Sequence, residues 1–337
     1  MSSGHTPIGD AAVAMPSGRA AVSDAAVAMP DPHAAAADAA VAGLDAAATA
    51  APGSAHAMTG VTAHAFAMLT RGDYAQLSAE LMSLDRAAAQ DPPDAYAMFY
   101  SGAFRLWKAA QGTTGLGDVL GLPSLADEWI SRLTSARALL PDDFRVTGFL
   151  CNAQIAVGTL RADAALVQRG LQTCDAAMVQ APAYGHFLKA TATSALPIDD
   201  PNFKTSFDDM LALANLCQFP TGDAQHSYRY PVDPARAPDP GVCLDEGIVP
   251  HCFEGIFIVF GDIALKAKGD AELARALYRS AQTAPNYTFW PYAPDLEQRI
   301  EQADDRAARF HDADPFNDPD MWSTKICVGC HQERVTP

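Results

Sequence analysis

The chain has 337 residues, of which 49% are hydrophobic and only 19% charged, and its formal net charge is −17. Such acidity disfavours a nucleic-acid partner, because that binding relies on Lys and Arg neutralising phosphates; it favours a protein partner, and a basic one if the contact is redox. The length supports a hydrophobic core without help from a metal or disulfide framework, and no stretch is long and apolar enough to span a membrane.

Residues 1–57 are an Ala-rich segment with an internal repeat: Asp10–Pro16 recurs as Asp24–Pro30, fourteen residues on, and again in altered form from Asp38 to Leu44. Such sequence offers too little large apolar surface to offset its ordering entropy, which predicts a disordered tether. No Lys or Arg precedes its first apolar stretch, and Asp10, Asp24, Asp38 and Asp45 interrupt the alanines. It therefore reads as no ordinary secretion leader; either the leader is unusual or the true start lies upstream.

From about His64 the pattern turns helical. Phe66, Leu69, Tyr74, Leu77, Leu81 and Leu84 recur at three- and four-residue steps, with a tight hairpin predicted at Arg71-Gly72-Asp73. A second helix is predicted from Ala95 to Ala110, after the start signal Asp91-Pro92-Pro93. The glycines from Gly112 to Gly121 suggest a flexible connection, since no Gly-Lys-Ser/Thr follows to make a phosphate loop. Further helices are expected over Leu125–Leu140, Phe144–Val157, Ala162–Gln180 and Tyr184–Ala195. Cys151 and Cys174, inside apolar helical patterns, read as buried, inert thiols.

Residues 218–252 are rich in proline and poor in helical period, which marks a loop that either braces the domain or binds a partner. A disulfide is expected there. Cys243 with Cys252 is the closest pair, and Cys217 with either one is the alternative.

The segment from Phe257 to Pro285 resembles a tetratricopeptide repeat, a helix-turn-helix unit of about 34 residues that stacks into a superhelix. Phe257 stands at the family's first large aromatic and Phe260-Gly261 at its Leu-Gly pair. Gly269-Asp270 makes the turn, followed by Ala274, Tyr278, Ala281 and the closing Pro285. An extra residue, Lys268, precedes the turn, and one is missing before Pro285. The resemblance implies an all-α fold of tetratricopeptide-like hairpins in a right-handed solenoid, occupying residues 58–310. The aromatic run Asn286–Tyr292 is expected to pack between helices, ahead of a final helix from Pro294 to about Phe310.

Residues 311–337 form an acidic, Pro-broken and irregular tail, and it ends in the most specific chemical signal of the chain. Cys327-Val328-Gly329-Cys330-His331 has the C-x-x-C-H spacing of c-type haem attachment. It resembles the motif of c-type cytochromes, which implies thioethers to one covalent haem from Cys327 and Cys330 and an iron-ligating His331. Only six residues follow, so the class I cytochrome fold, which takes its Met ligand far downstream, is not expected. A sixth ligand would come from Met321, His311, His251 or His226, and Met321 and Trp322 would offer the macrocycle a hydrophobic wall. Covalent haem and a disulfide both suit a periplasmic or cell-envelope setting.

Three functions fit this sequence. One is a helical scaffold whose haem transfers electrons to a protein partner. Another is a non-haem protein-binding or assembly module whose terminal Cys pair forms a disulfide or binds a metal, although adjacent Cys330 and His331 are poorly placed on one zinc ion. The third is an open-site, peroxidase-like haem enzyme, for which no accompanying Ser/His/Asp, paired-carboxylate or H-E-x-x-H constellation is present.

Overall fold

In a computed structural model, the described residues are 60–71, 74–112, 116–219, 242–245, 253–284, 287–312, 314 and 317–325. The Ala-rich repeat lies outside them, as does most of the 218–252 loop. These residues form twelve α-helices and no strand. The first six are α1 (Gly60–Arg71), α2 (Leu77–Ala88), α3 (Ala95–Gly112), α4 (Leu116–Leu139), α5 (Phe144–Leu160) and α6 (Ala164–Gln180). Six more follow: α7 (Pro182–Ser194), α8 (Phe203–Cys217), α9 (Phe253–Lys268), α10 (Ala271–Ala281), α11 (Ala293–Glu301) and α12 (Ala303–Phe310).

Local chemistry sets many of the boundaries. Asp143, Asp163 and Asp270 precede α5, α6 and α10, and each side chain accepts a hydrogen bond from an otherwise unpaired first-turn N–H. Pro182 opens α7, where its missing N–H costs nothing. Gly269 ends α9 with φ +63°, the left-handed conformation that lets the chain reverse into α10.

Packing follows chain order. Each of the first ten helices touches the next, and α5 also meets α7 as α1 meets α3. The apolar faces gather into two large cores. The first, from α1 to α6, is built around Phe66, Phe99, Tyr100, Phe104, Trp107 and Trp129. The second, from α7 onward, centres on Phe207, Phe257, Phe260, Tyr278, Trp290 and Trp322. A small cluster of Cys151, Ile155, Val167, Leu171, Cys174 and Ala192 lies on the α5–α7 elements that link them.

Four features differ from the sequence expectation. Cys151 and Cys174 are not inert thiols; they form a disulfide, with Cα atoms 5.1 Å apart, between α5 and α6. The two positions lie nearly equidistant from the turn at Ala162, so folding the hairpin brings them face to face. Helical periodicity shows that both are buried but not that they meet. Second, the glycine-rich stretch is helical from Leu116 onward. Each glycine costs only about 1 kcal/mol relative to alanine, which does not stop a 24-residue helix. Third, Phe203–Cys217 is a helix outside the expected set, although Phe203, Phe207, Met210 and Leu213, all buried, carry the period. Last, the predicted final helix is two helices, broken at Gln302.

The Cys151–Cys174 bridge closes a loop of 23 residues, which on chain-entropy grounds contributes about 3 kcal/mol. Cys151→Ala/Cys174→Ala is expected to lower unfolding stability by about that amount. Urea titrations with and without reductant check this, and the double variant should show the smaller response to reductant.

Candidate functional site

The site begins with one carboxylate. Asp262, on α9, is completely buried. Burying a carboxylate unpaired is prohibitive, and four groups from four directions meet this one. Tyr278 of α10 donates its hydroxyl to Oδ1 at 2.7 Å, and Arg299 of α11 donates Nε to the same oxygen at 3.2 Å. Arg306 of α12 reaches it at 3.3 Å. The backbone N–H of Trp322 donates to Oδ2 at 2.7 Å. One side chain thus joins the last three helices and the C-terminal tail.

Close helix approach makes this possible. A Cβ on Gly261 would overlap the Tyr278 ring, so only glycine lets that ring lie against α9 and its hydroxyl reach the next residue, Asp262. The two guanidiniums are balanced by a second carboxylate. Asp320 accepts from Arg299 at 3.1 Å and from Arg306 at 3.2 Å, while its carbonyl accepts from Arg306 at 2.6 Å. Arg299 also lies over the Trp322 ring, 5.2 Å from its centroid, a cation–π contact.

The tail is held on a second side. Ser323 and Ser194, at the end of α7, share a hydrogen bond of 2.7 Å between their hydroxyls. Beneath that contact Lys266 is buried, donating to the carbonyls of Ser194 at 3.0 Å and Leu196 at 2.6 Å. It caps the negative end of α7. Burial pulls its ammonium down to about 8, with Asp318 opposing.

Trp322 and Met321 are 4% and 5% exposed. Trp322 packs edge-on against Tyr292 and Trp290. This corrects the expectation of a wall for the macrocycle, because both side chains face the protein core. The same burial means that Met321 would have to leave the core to bind iron. His311 uses Nε2 to donate to the Leu265 carbonyl, 3.1 Å away at the end of α9, so ligation through that atom would break the bond. Cys217 is bridged to Cys243, with Cα atoms 5.3 Å apart, tying the end of α8 to the 242–245 segment. His226, His251, Cys252, Cys327, Cys330 and His331 lie outside the described residues.

Of seven cysteines, the two bridges take Cys151, Cys174, Cys217 and Cys243, and neither bridge involves Cys327 or Cys330. Among the described residues no cluster of three or more His, Cys, Asp or Glu side chains is arranged to hold a metal ion, and no helix is long and apolar enough to cross a membrane. No protein-family model, curated protein or solved structure matches this chain.

Sequence reading passed over Asp262, Asp320, Arg299 and Arg306. A signal existed for part of it. Arg299 and Arg306 are seven residues apart, which in the single helix predicted for that stretch puts both on the face of Leu296 and Ala303, and a cationic pair on an apolar face needs anions opposite.

Asp262→Ala leaves two buried guanidiniums short of one partner. Breaking a buried ion pair from one side costs about 3–5 kcal/mol, and that loss is expected in denaturant titrations. Amide exchange at Trp322 and Ser323 should rise before global unfolding. Asp320 responds to acid in a defined window. Burial alone would raise its carboxyl, but the charge of Arg299 and the hydrogen bond and charge of Arg306 outweigh burial and hold it at about 2. The folded value lies below the unfolded one, so its contribution is fully present above about pH 4. It is lost as the pH falls toward 2. Asp320→Asn should flatten that limb of the stability–pH profile, read by thermal melts across the range.

Proposed function

We propose that this chain is a helical-repeat scaffold carrying one covalently bound haem c on a short tail, and that it exchanges single electrons with a protein partner. The observation that carries the reading is one of position. The C-x-x-C-H sequence at Cys327–His331 begins four residues after Ser323, and residues 320–323 are held by Asp262, the two arginines and Ser194. A cofactor on that tail stays close to the helical body, which presents the surface for docking.

In this reading Cys327 and Cys330 would hold the haem through one thioether each, and His331 would ligate its iron. The bound haem supplies a one-electron ferric/ferrous couple. The electron comes from a reduced partner or passes to an oxidised one, and no other bond is made or broken. The chain's own residues hold the tail, exclude water from its anchor and supply the docking charge.

Three further features support the assignment. Two disulfides among the described residues suit an oxidising compartment such as a periplasm or cell envelope. The net charge of −17 favours a basic partner steered by long-range attraction. Successive helix pairs pack mainly against chain neighbours, as in a tetratricopeptide-like solenoid. The α9–α10 hairpin, with Gly261 against Tyr278 and a left-handed Gly269 at its turn, has the small-residue contact and tight reversal that such a repeat uses.

The test is to produce the chain behind a functional secretion leader in cells with haem-attachment machinery, then denature it. One haem per chain is expected to remain bound, and Cys327→Ala/Cys330→Ala should abolish retention. Loss of all haem from the unmodified chain on denaturation would leave only the scaffold.

A further inference from the structure

Buried carboxylates in this fold differ in how many donors they receive. Asp262 and Asp143 each take several, arginine among them. Asp209 of α8, only 7% exposed, takes one. Its Oδ1 accepts Nδ1–H of His186, on α7, at 2.8 Å, while Oδ2 is buried without a hydrogen-bond partner. The imidazole is partly exposed, so the group that serves this carboxylate can exchange its proton with solvent. His64 and Glu80 repeat the construction between α1 and α2, with Nδ1 2.9 Å from the carboxylate and Oε1 unpartnered. His64 is 45% exposed, however, and solvent screens that pair far more.

Among the described residues, the other ionisable groups around α7 are committed elsewhere or face solvent. Lys189, on α7 itself, pairs with Asp175 of α6 at 2.9 Å, and Tyr184 packs against Phe144. Arg169 of α6 is exposed, as are Lys204 and Asp208 of α8. Arg145 of α5 is paired with Asp143 at 2.7 Å. Lys266 of α9 sits at the far end of α7, on the Ser194 and Leu196 carbonyls, and Lys268 lies over the Phe207 ring. The tail's Asp320 is held by Arg299 and Arg306. None of these cations bonds to Asp209, so the charge directly against it is that of His186.

That dependence has a direction. A buried carboxylate with an unserved oxygen is costly, and a charged donor offsets the cost better than a neutral one. When His186 gives up its proton, Asp209 keeps a hydrogen bond but loses its positive partner, within the range where histidine titrates. The carboxylate acts with the same sign. Burial raises it, with the bond from His186 and the charge of Lys189 opposing. Its folded value lies above the unfolded one, so its contribution is fully present below about pH 4 and is lost as the pH rises through the folded value.

We infer that the His186–Asp209 pair is a proton-operated joint: a proton on the pair closes the α7–α8 contact, and its loss loosens that contact together with the end of α7 that holds the tail. The proton comes from solvent and returns to it. Ser206, which donates to the Ala190 carbonyl at 2.9 Å, does not titrate and keeps the two helices in register in either state. The consequence reaches the tail because Ser194, on the same helix as His186, shares the hydrogen bond with Ser323. Acidity in the surroundings thus sets how firmly residues 320–323 are held on that side.

The experiment uses the full chain and reads native-state amide exchange in α7 and α8 against the α5–α6 hairpin, over about pH 5 to 8, where histidine changes charge. The opening equilibrium of α7–α8 is expected to rise on the order of tenfold across this range, equivalent to about one unit of linked proton affinity. Exchange at Ser323 should rise with it. Asp209→Asn removes the buried charge and should flatten the profile. His186→Gln keeps a donor but no charge, and at neutral pH should open the joint as far as the unmodified protein does at the alkaline end. Far-UV circular dichroism verifies that each variant is folded, and His186→Gln alone decides the matter if Asp209→Asn does not fold. A flat profile in the unmodified protein overturns the inference. An undiminished rise in either variant also overturns it, since the titrating group would then lie elsewhere.

Discussion

Asp262 is the point on which the C-terminal half of this molecule depends. A carboxylate removed from water needs compensation on every side, and α10, α11, α12 and the tail each provide part of it. The requirement is mutual. Arg299 and Arg306 are 4% and 5% exposed, and two buried cations near one anion would repel each other. Asp320 completes a group of two positive and two negative charges. Such a cluster adds little net stability over well-packed apolar residues, but it tolerates no substitute geometry. It therefore specifies where the tail lies more than how tightly the domain folds.

The first core has a smaller counterpart with a different task. Asp143 caps α5, accepts from Arg145 at 2.7 Å and receives the Tyr96 hydroxyl at 2.9 Å, joining α3 to the α4–α5 turn. No chain end depends on it. Between the two cores, the Cys151–Cys174 bridge fixes α5 to α6 where the apolar faces change from one core to the other. A series of helices that touch mostly their neighbours bends most easily at such a joint, and a covalent link there limits the bending. The Cys217–Cys243 bridge likewise ties the end of α8 to the 242–245 segment.

The helical class of the fold was legible because buried faces repeat every three or four residues, from Phe66 in α1 to Tyr278 in α10. The turn at Gly269-Asp270 was legible because only a few residue types make that reversal and cap the next helix. Partnership was not legible. Cys151 and Cys174 looked like two separate core residues, because periodicity reports depth but not what stands opposite. Asp262 sits between Gly261 and Ile263, where an acidic residue in an apolar helix gives no sign of which cations surround it. The tail shows a related limit: Asp and Pro between 312 and 320 are the residue types that break a helix, yet they conceal that the next two residues, Met321 and Trp322, are buried. The motif at Cys327–His331 is legible only as chemistry. Its spacing identifies a ligand set, and nothing in the spacing says what lies on the far side of the iron.

Placement of charge links these features to the proposed function. The chain has 40 acidic residues against 23 Lys and Arg, and several of those cations, Arg145, Arg299, Arg306 and Lys266, are buried in paired or carbonyl-capped positions. Their charge is compensated locally, so the excess of carboxylates is expressed mainly at the surface, where on the proposed reading it would attract a basic protein over about one Debye length, ~8 Å in physiological salt. Attraction of that kind accelerates encounter but orients a partner only loosely. A cofactor on a free tail would then meet the partner at variable distance. Holding residues 320–323 with Asp262 and Ser194 removes most of that variation. On this reading the buried cluster matters to electron exchange although it never touches the cofactor: it limits where the cofactor can be when a basic surface arrives.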